Sequence, residues 1–312
     1  MNASVYEELK KALDIVGTGA SGSVNLIPEL LDPEIQELAR LNRPLRTNLG
    51  RKKPTLASDK WQVNRRLTRG TAQFVDDAEE PSDSNATYGG TPFEFKTILG
   101  RGKVSKDLQA KGASYIDVLQ EEIESMTDVC ADLEEEKLIS GSVSADPKEY
   151  DGLHILVPAS ANPQAVDAGG TLVIAKMDEV ADVNYSNTAD MLIICSQRTQ
   201  RAINGLKVGA QRYMDKKEVD GGFKVSSWDD IPIFWSQFQP DTEYADGSAL
   251  TGGTKSSLYL INKSKFFMGL LEELHMEVLA KTSSQFDKFD IVERVVAVLK
   301  NRKYVSRLFG IS

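Results

Sequence analysis

An α+β fold is the class that three features of the sequence predict. Two strand-like runs, Lys60 to Arg69 and Thr91 to Arg101, flank a polar stretch, and a single helical stripe runs from Tyr115 to Ile139. After about Ser142 the chain breaks into short strands and helices separated by Gly, Pro and Asn. Its 312 residues suffice for about two compact units. At 41% hydrophobic and 27% charged, the composition excludes disordered, collagen-like and membrane-spanning classes. The 37 Lys and Arg against 46 Asp and Glu give a net charge of -9, which argues against a surface built to coat nucleic acid. Two cysteines, Cys130 and Cys195, are too few for a disulfide framework and fit a reducing, cytoplasmic setting. With only His154 and His275, the usual catalytic and metal-ligating repertoire is nearly empty. No signal peptide or membrane span is expected, since the longest apolar runs, Met191 to Cys195 and Val295 to Leu299, are strand-sized.

Val5, Leu9, Ala12, Leu13 and Val16 share one helical face, so a short amphipathic helix is expected up to Gly17. Gly17, Gly19 and Gly22 match a dinucleotide-loop pattern, but they follow a helix instead of a strand and read as a flexible linker. From Arg40 to Arg69 there are ten basic residues and one acidic one, Asp59, interrupted by Pro44 and Pro54, which predicts an extended basic arm. Lys60 to Arg101 then reads as a long two-stranded hairpin. Its tip carries Asp76, Asp77, Glu79, Glu80 and Asp83 with no cation, so it is either a solvated loop or a segment that docks on a basic surface of another chain.

Ser114-Tyr-Ile-Asp117 has the form of a capping box and should start a helix. Ile116, Leu119, Ile123, Met126, Cys130 and Leu133 form its apolar stripe, and Gly141 can stop it. The remaining face holds nine carboxylates, Asp117, Glu121, Glu122, Glu124, Asp128, Asp132, Glu134, Glu135 and Glu136, against Lys137, and reads as solvated. Beyond it, strands are expected at Leu172 to Ala175, Met191 to Cys195, Phe223 to Val225, Ile231 to Trp235 and Leu258 to Ile261. Helices are expected at Lys176 to Val183 and Ser196 to Lys207. His154 lies in a strand-like run. Lys265 to Leu279 and Ile291 to Lys300 are further strands, with Lys281 to Asp290 as a polar tip between them.

Chemical motifs are weak throughout. Gly100-Arg-Gly-Lys103 lacks the spacer and hydroxyl of a phosphate loop and reads as strand-end charge. His275 has no second histidine at zincin spacing, and no serine sits in a nucleophile elbow. Trp61, Trp228 and Trp235 read as packing anchors. No catalytic set, cofactor or metal is expected.

The order of elements resembles the major capsid proteins of tailed bacteriophages with the Hong Kong 97-type fold. The resemblance rests on the Lys60 to Arg101 hairpin, the helix closing in Glu134-Glu-Glu-Lys-Leu-Ile-Ser-Gly141, and Ser227-Trp-Asp-Asp-Ile-Pro-Ile-Phe-Trp235. It continues through Ser257-Leu-Tyr-Leu-Ile-Asn262 and Asp290-Ile-Val-Glu-Arg-Val-Val-Ala-Val-Leu299. It implies five regions: 1–59 an N-terminal helix and arm, 60–101 the extended loop, and 102–141 the spine helix of a peripheral domain. Residues 142–262 would be an axial domain, and 263–312 the return segment of the peripheral domain with the C-terminus. The implied function is self-assembly, as hexamers and pentamers, into an icosahedral shell around double-stranded DNA, built in the host cytoplasm. Implied partners are copies of the chain, a portal, a separate scaffolding protein and a decoration protein, with DNA contacted weakly and no membrane.

On this reading Ser283, Ser284, Gln285, Phe286, Asp287 and Lys288 form a loop at threefold contacts. The acidic tip meets a neighbour's basic surface, either Arg43, Arg46, Arg51, Lys52 and Lys53 or the cluster Lys300, Arg302, Lys303 and Arg307. Members that cross-link their shells need a lysine on the extended loop. Residues 70–95 contain none, so noncovalent contacts are expected. About 25 residues precede the arm, which makes an internal scaffolding region and proteolytic maturation unexpected. An acidic inward-facing helix would repel DNA phosphates and let packaged DNA slide. Two other readings compete: an encapsulin-type compartment, and a cytoplasmic nucleotide-binding enzyme using Gly17 to Gly22.

Overall fold

The strands form a four-stranded, a seven-stranded and a two-stranded sheet in a computed structural model that describes residues 42–55, 58–77, 79–112, 117–209, 216–219, 223–279 and 285–312. The expected helix at Val5 to Val16 and the glycines 17, 19 and 22 lie outside these residues, as do Ser283 and Ser284.

The arm contains one helical turn, α1 (Pro44–Asn48), started by proline at its first position, and a short strand β1 (Arg51–Lys52). The hairpin forms as expected: β2 (Lys60–Arg66) pairs antiparallel with β3 (Tyr88–Glu94), from Lys60 opposite Glu94 to Arg66 opposite Tyr88. The second run does not continue to Arg101 in the same sheet. It breaks at Phe95, whose N–H donates to Asp59 O at 3.0 Å, and resumes as β4 (Lys96–Ser105) in a different sheet.

After a short helix α2 (Lys106–Gly112), the long helix α3 spans Val118–Ser140, about 35 Å of rise. Its N-cap is Asp117; Ser114, the other residue of the expected capping box, lies outside the described residues. Asp117 Oδ1 accepts from the N–H groups of Leu119 and Gln120, both at 3.2 Å, and a carboxylate serves there as well as a hydroxyl. The helix stops at Gly141 because the chain crosses itself: a Cβ there would stand 2.4 Å from Tyr150 O.

The four-stranded sheet has the order β1, β11 (Phe266–Val278), β12 (Phe286–Leu299), β4. β11 and β12 are a long antiparallel hairpin, and β4 pairs antiparallel with β12 along ten residues. Gly100 and Gly102 are therefore mid-strand, not strand-end. Phe289 faces Gly102 across the pair and its ring covers it, so that a Cβ at Gly102 would fall 2.2 Å from the ring.

The chain then forms α4 (Leu153–Leu156), β5 (Ala165–Gly170), α5 (Ile174–Asp182), β6 (Met191–Cys195) and α6 (Gln197–Gly209). β7 (Lys216–Val219), β8 (Phe223–Trp228), β9 (Ile231–Trp235), β10 (Ser256–Asn262) and finally β13 (Val305–Ile311) follow. The seven-stranded sheet is ordered β5, β13, β10, β6, β9, β8, β7. Two expectations fail here. Leu172 to Ala175 leads into α5 and is not a strand, and His154 lies in α4, a single turn too short to show a period. The C-terminal strand β13, which no local pattern predicted, joins the seven-stranded sheet beside β5 and β10.

Both faces of this sheet are covered, which explains its unbroken apolar runs. Leu192, Ile194, Tyr259 and Ile261 point into one core with α3 and the four-stranded sheet. Ile193, Cys195, Leu258 and Leu260 point into the other, with α5.

Arg307, expected among exposed basic residues, is wholly buried in β13 and unavailable to a neighbour. It pairs with buried Glu243: Nη2 reaches Oε2 at 3.1 Å, Nε donates to Ser257 Oγ at 3.1 Å and Nη2 to Gly247 O at 3.2 Å. Gln239 Nε2 donates to the other carboxylate oxygen at 3.0 Å. The pair ties the loop between β9 and β10 to the sheet. Arg307→Met alone should destabilise the unassembled chain by about 3–5 kcal/mol, because Glu243 is left buried without its partner. Arg307→Met with Glu243→Gln should recover much of that loss in urea unfolding; equal losses in both variants would contradict this account.

Candidate functional site

The basic arm is held by the helix it was expected to leave solvated. Arg43 donates from Nε to Asp132 Oδ1 at 2.5 Å and from Nη1 to Asp128 Oδ1 at 2.7 Å, both on α3. One turn on, Glu135 of α3 accepts from two consecutive backbone N–H groups of α1, Leu45 at 3.1 Å and Arg46 at 2.8 Å, and from Ser236 Oγ at 3.2 Å. Glu134 and Glu293, both 0% exposed, are bridged by two guanidiniums. Arg51 Nη2 reaches both Glu134 oxygens at 2.6 and 2.7 Å, and its Nη1 reaches Glu293 Oε1 at 2.7 Å. Arg46 contacts Glu134 as well, and Glu293 at 3.4 Å. The result joins α1, β1, α3 and β12 in one network.

Lys52 stands 4.4 Å from the centroid of the Phe267 ring, and Lys53 makes an exposed pair with Glu273 at 3.0 Å. Trp61 of the hairpin meets the same Phe267 edge-on, 5.3 Å between centroids, which fixes the stem against the sheet. The five predicted arm cations are thus engaged within their own chain, and among the described residues no ion pair joins them to the acidic tip.

Two sequence expectations change accordingly. The helix's acidic face is not uniformly solvated: Asp128 and Asp132 carry Arg43, and Glu134 and Glu135 are buried, leaving Asp117, Glu121 and Glu124 exposed on that face. The cause is chain topology, which brings the arm's cations across α3 from about 80 to 90 residues away in sequence. Phe286, Asp287 and Lys288 are likewise not a loop. They begin β12, opposite Ser105, Val104 and Lys103, and Gln285 O accepts from Lys106 N at 2.9 Å, because β4 continues the ladder past the end of the β11 pairing.

The extended tip, by contrast, touches little. Asp76, Asp77, Glu79, Glu80 and Asp83 are exposed, and Phe74 is fully so. Its neck is held by Leu67 N to Thr87 O at 2.8 Å, by the Thr68 and Thr87 hydroxyls at 2.7 Å, and by Thr71 N to Ser84 Oγ at 2.9 Å. Phe74 and the exposed Val75 directly precede the acidic run that starts at Asp76.

The chemistry available is that of holding shape. Burial pushes His154 down to about 4, and both cysteines are buried with their thiols pushed up by that burial. Burial also pushes Glu135 up to about 7, against the opposing pull of the Arg46 and Leu45 N–H groups, the Ser236 hydroxyl and the Arg46 charge. A carboxyl whose folded pKa is raised contributes stability in full below its unfolded value, near 4.5, and loses it as pH rises through 7. Neutral His154 works in the opposite direction over an overlapping window, since its stability is lost as pH falls from 6.5 towards 4. The net profile can therefore look flat. The difference in unfolding free energy between wild type and Glu135→Gln should nevertheless shrink by up to about 3 kcal/mol between pH 4.5 and 7.5. A pH-independent difference would show that Glu135 is ionised throughout. Arg51→Met should cost about 3–5 kcal/mol by leaving two buried carboxylates to Arg46 alone, whereas Lys53→Met should change stability by less than about 1 kcal/mol.

The architecture matches solved shell proteins. The encapsulin of the holo-SrpI complex from Synechococcus elongatus PCC 7942 superposes with a TM-score of 0.70 at 12% identity, covering 100% of this chain and 96% of that one. A capsid chain of a native GTA particle gives 0.71 at 13%, covering 95% and 100%. The cyanophage A-1(L) capsid gives 0.67 at 13%, covering 92% and 99%. At these identities the likeness establishes the Hong Kong 97-type fold alone, and it does not separate phage shells from encapsulins. No curated protein matches the sequence. The family is settled by sequence: residues 50–312 match the SU10 major capsid protein family, and the chain belongs to it as a virion structural protein and not an enzyme.

Proposed function

We propose that the chain assembles as pentamers and hexamers into a closed icosahedral shell around double-stranded DNA, through noncovalent contacts in which the extended loop lies on a neighbouring copy. The observation that carries this reading is the loop itself. A seven-pair stem anchored by Trp61 presents a tip with five carboxylates and an uncovered Phe74, and a two-stranded ribbon of this kind gains its stability from what it lies on. The absence of lysine between residues 70 and 95 favours noncovalent adhesion over cross-linking.

In this reading the four-stranded sheet and α3 form the peripheral domain. The seven-stranded sheet, including β13, forms the axial domain that meets its copies at capsomer centres. The segment from Ser283 to Lys288 lies at threefold contacts, with Phe286, Asp287 and Lys288 as the start of β12. One fold making head-to-tail contacts around both five- and sixfold axes closes by symmetry. Assembly takes place in the host cytoplasm, and the resemblance to tailed-phage capsids supports a portal, a separate scaffolding protein and a decoration protein as partners.

Changing Asp76, Asp77, Glu79 and Glu80 together to Asn and Gln should lower the melting temperature of assembled particles and reduce particle yield. Each exposed pair contributes only about 0.2–1 kcal/mol, yet the contact repeats at every subunit, and the deficit should shrink in high salt. Particle yield and melting equal to wild type at low salt would overturn the loop's assigned role. Electron microscopy of purified particles, with nuclease-protected DNA measured in parallel, distinguishes a genome shell from a cargo compartment.

A further inference from the structure

Where the extended loop leaves the body, a cleft of about 810 Å³ opens between the end of β2 and the turn at Asn301 to Tyr304. Arg65, Arg66, Arg69 and Lys303 line it, and no Asp or Glu does, in a chain whose net charge is -9. Aromatic rings take the place of counter-ions: Arg66 lies 5.7 Å from the Tyr88 centroid and Lys303 lies 5.2 Å from that of Tyr185. Arg65 donates from Nη2 to Leu299 O at 2.9 Å, while its Nε is buried without a partner. Burial, helped by the Arg302 charge, pushes this guanidinium's pKa down, a strain that an incoming anion would relieve.

We propose that this cleft receives the acidic loop tip of a second copy of the chain, with Asp76, Asp77, Glu79 and Glu80 facing Arg66, Arg69 and Lys303, and Phe74 against the tyrosine walls. The inference rests on the loop docking proposed above and adds the receiving surface. Other basic candidates are already engaged. Arg43, Arg46 and Arg51 are paired with carboxylates of their own chain, and Arg307 is buried. Tip and cleft are different surfaces of one chain, so their contact is head-to-tail and generates a ring when the rotation closes. The Thr68 and Thr87 hydroxyls, 2.7 Å apart, join the two strands of the loop at its neck.

The test is a charge exchange in the full chain. Asp76→Lys, Asp77→Lys, Glu79→Lys and Glu80→Lys together should reduce particle yield by about tenfold or more, equivalent to at least 1.4 kcal/mol. Arg66→Glu, Arg69→Glu and Lys303→Glu together should do the same, and combining both sets should restore particles. Loss in the tip set without recovery in the combination overturns the cleft as receiver and leaves loop docking standing. Unchanged yield in the tip set overturns both. Unchanged yield in the cleft set with reduced packaged DNA assigns the cleft to phosphate instead and also overturns the proposal. Because reversal could affect folding, Glu79→Cys with Lys303→Cys provides a second reading. The native thiols are buried, so mild oxidation of assembled particles should give a disulfide-linked ladder on non-reducing gels. Monomer only, in well-formed particles, would overturn the assignment.

Discussion

Glu134 and Glu293 have no access to water, and the arrangement of the rest of the chain follows from how their charge is met. An isolated carboxylate in such a position costs several kcal/mol, so both need cations delivered by another part of the chain. Arg46 and Arg51 deliver them, which forces the arm to cross α3 and to end as a strand beside β11. Glu135 adds a backbone condition, since its oxygens take the N–H groups that the first turn of α1 leaves unpaired. Charge and hydrogen-bond geometry together therefore specify where the arm lies. Apolar packing of Leu45 and Leu49 then completes a surface whose position is already set.

That lock has a mechanical consequence for the loop. β2 follows the arm directly, and Trp61 rests on Phe267, the ring that also receives Lys52 and Lys300. At the other end of β2, Arg65 is tied to Leu299 O. The stem is thus fixed at both ends before the chain departs at Leu67, and the tip is the portion left to follow its surroundings. Rigid attachment with a compliant end is a good arrangement for a contact that has to be made at more than one intersubunit angle.

Much of this was legible in the sequence, and the failures share a cause. Strongly periodic or apolar elements, such as α3, β6, β9 and β10, were readable because local pattern and burial agree. The elements missed were those whose burial depends on a distant partner. β13 hides behind Ser306 and Arg307, polar residues that become interior through Val180 O and Glu243. β5 ends in two glycines and gains its ladder from β13 alone. The arm network escaped for the same reason, as Glu134 and Glu135 look like members of an acidic run until Arg51, Arg46 and Ser236 arrive from elsewhere. One local signal was available and unused. Trp228-Asp-Asp-Ile231 is a two-residue hairpin, with Asp229 and Asp230 both at positive φ, as a type I′ turn requires.

The division of charge between interior and exterior also bears on how one chain can serve two symmetry environments. Buried pairs demand fixed geometry: moving Arg51 by an ångström from Glu134 loses a hydrogen bond with no water to replace it. Such pairs suit contacts that must be identical in every copy, and here they occur within the chain. Exposed charges interact over roughly 8–10 Å at ordinary salt and depend weakly on angle. They suit contacts that differ between pentamer and hexamer, the role proposed for the loop tip and for the cleft at its root, where they cluster. A net charge of -9 says little about this separation. Its content lies in which carboxylates the fold has already neutralised and which it leaves for a neighbour.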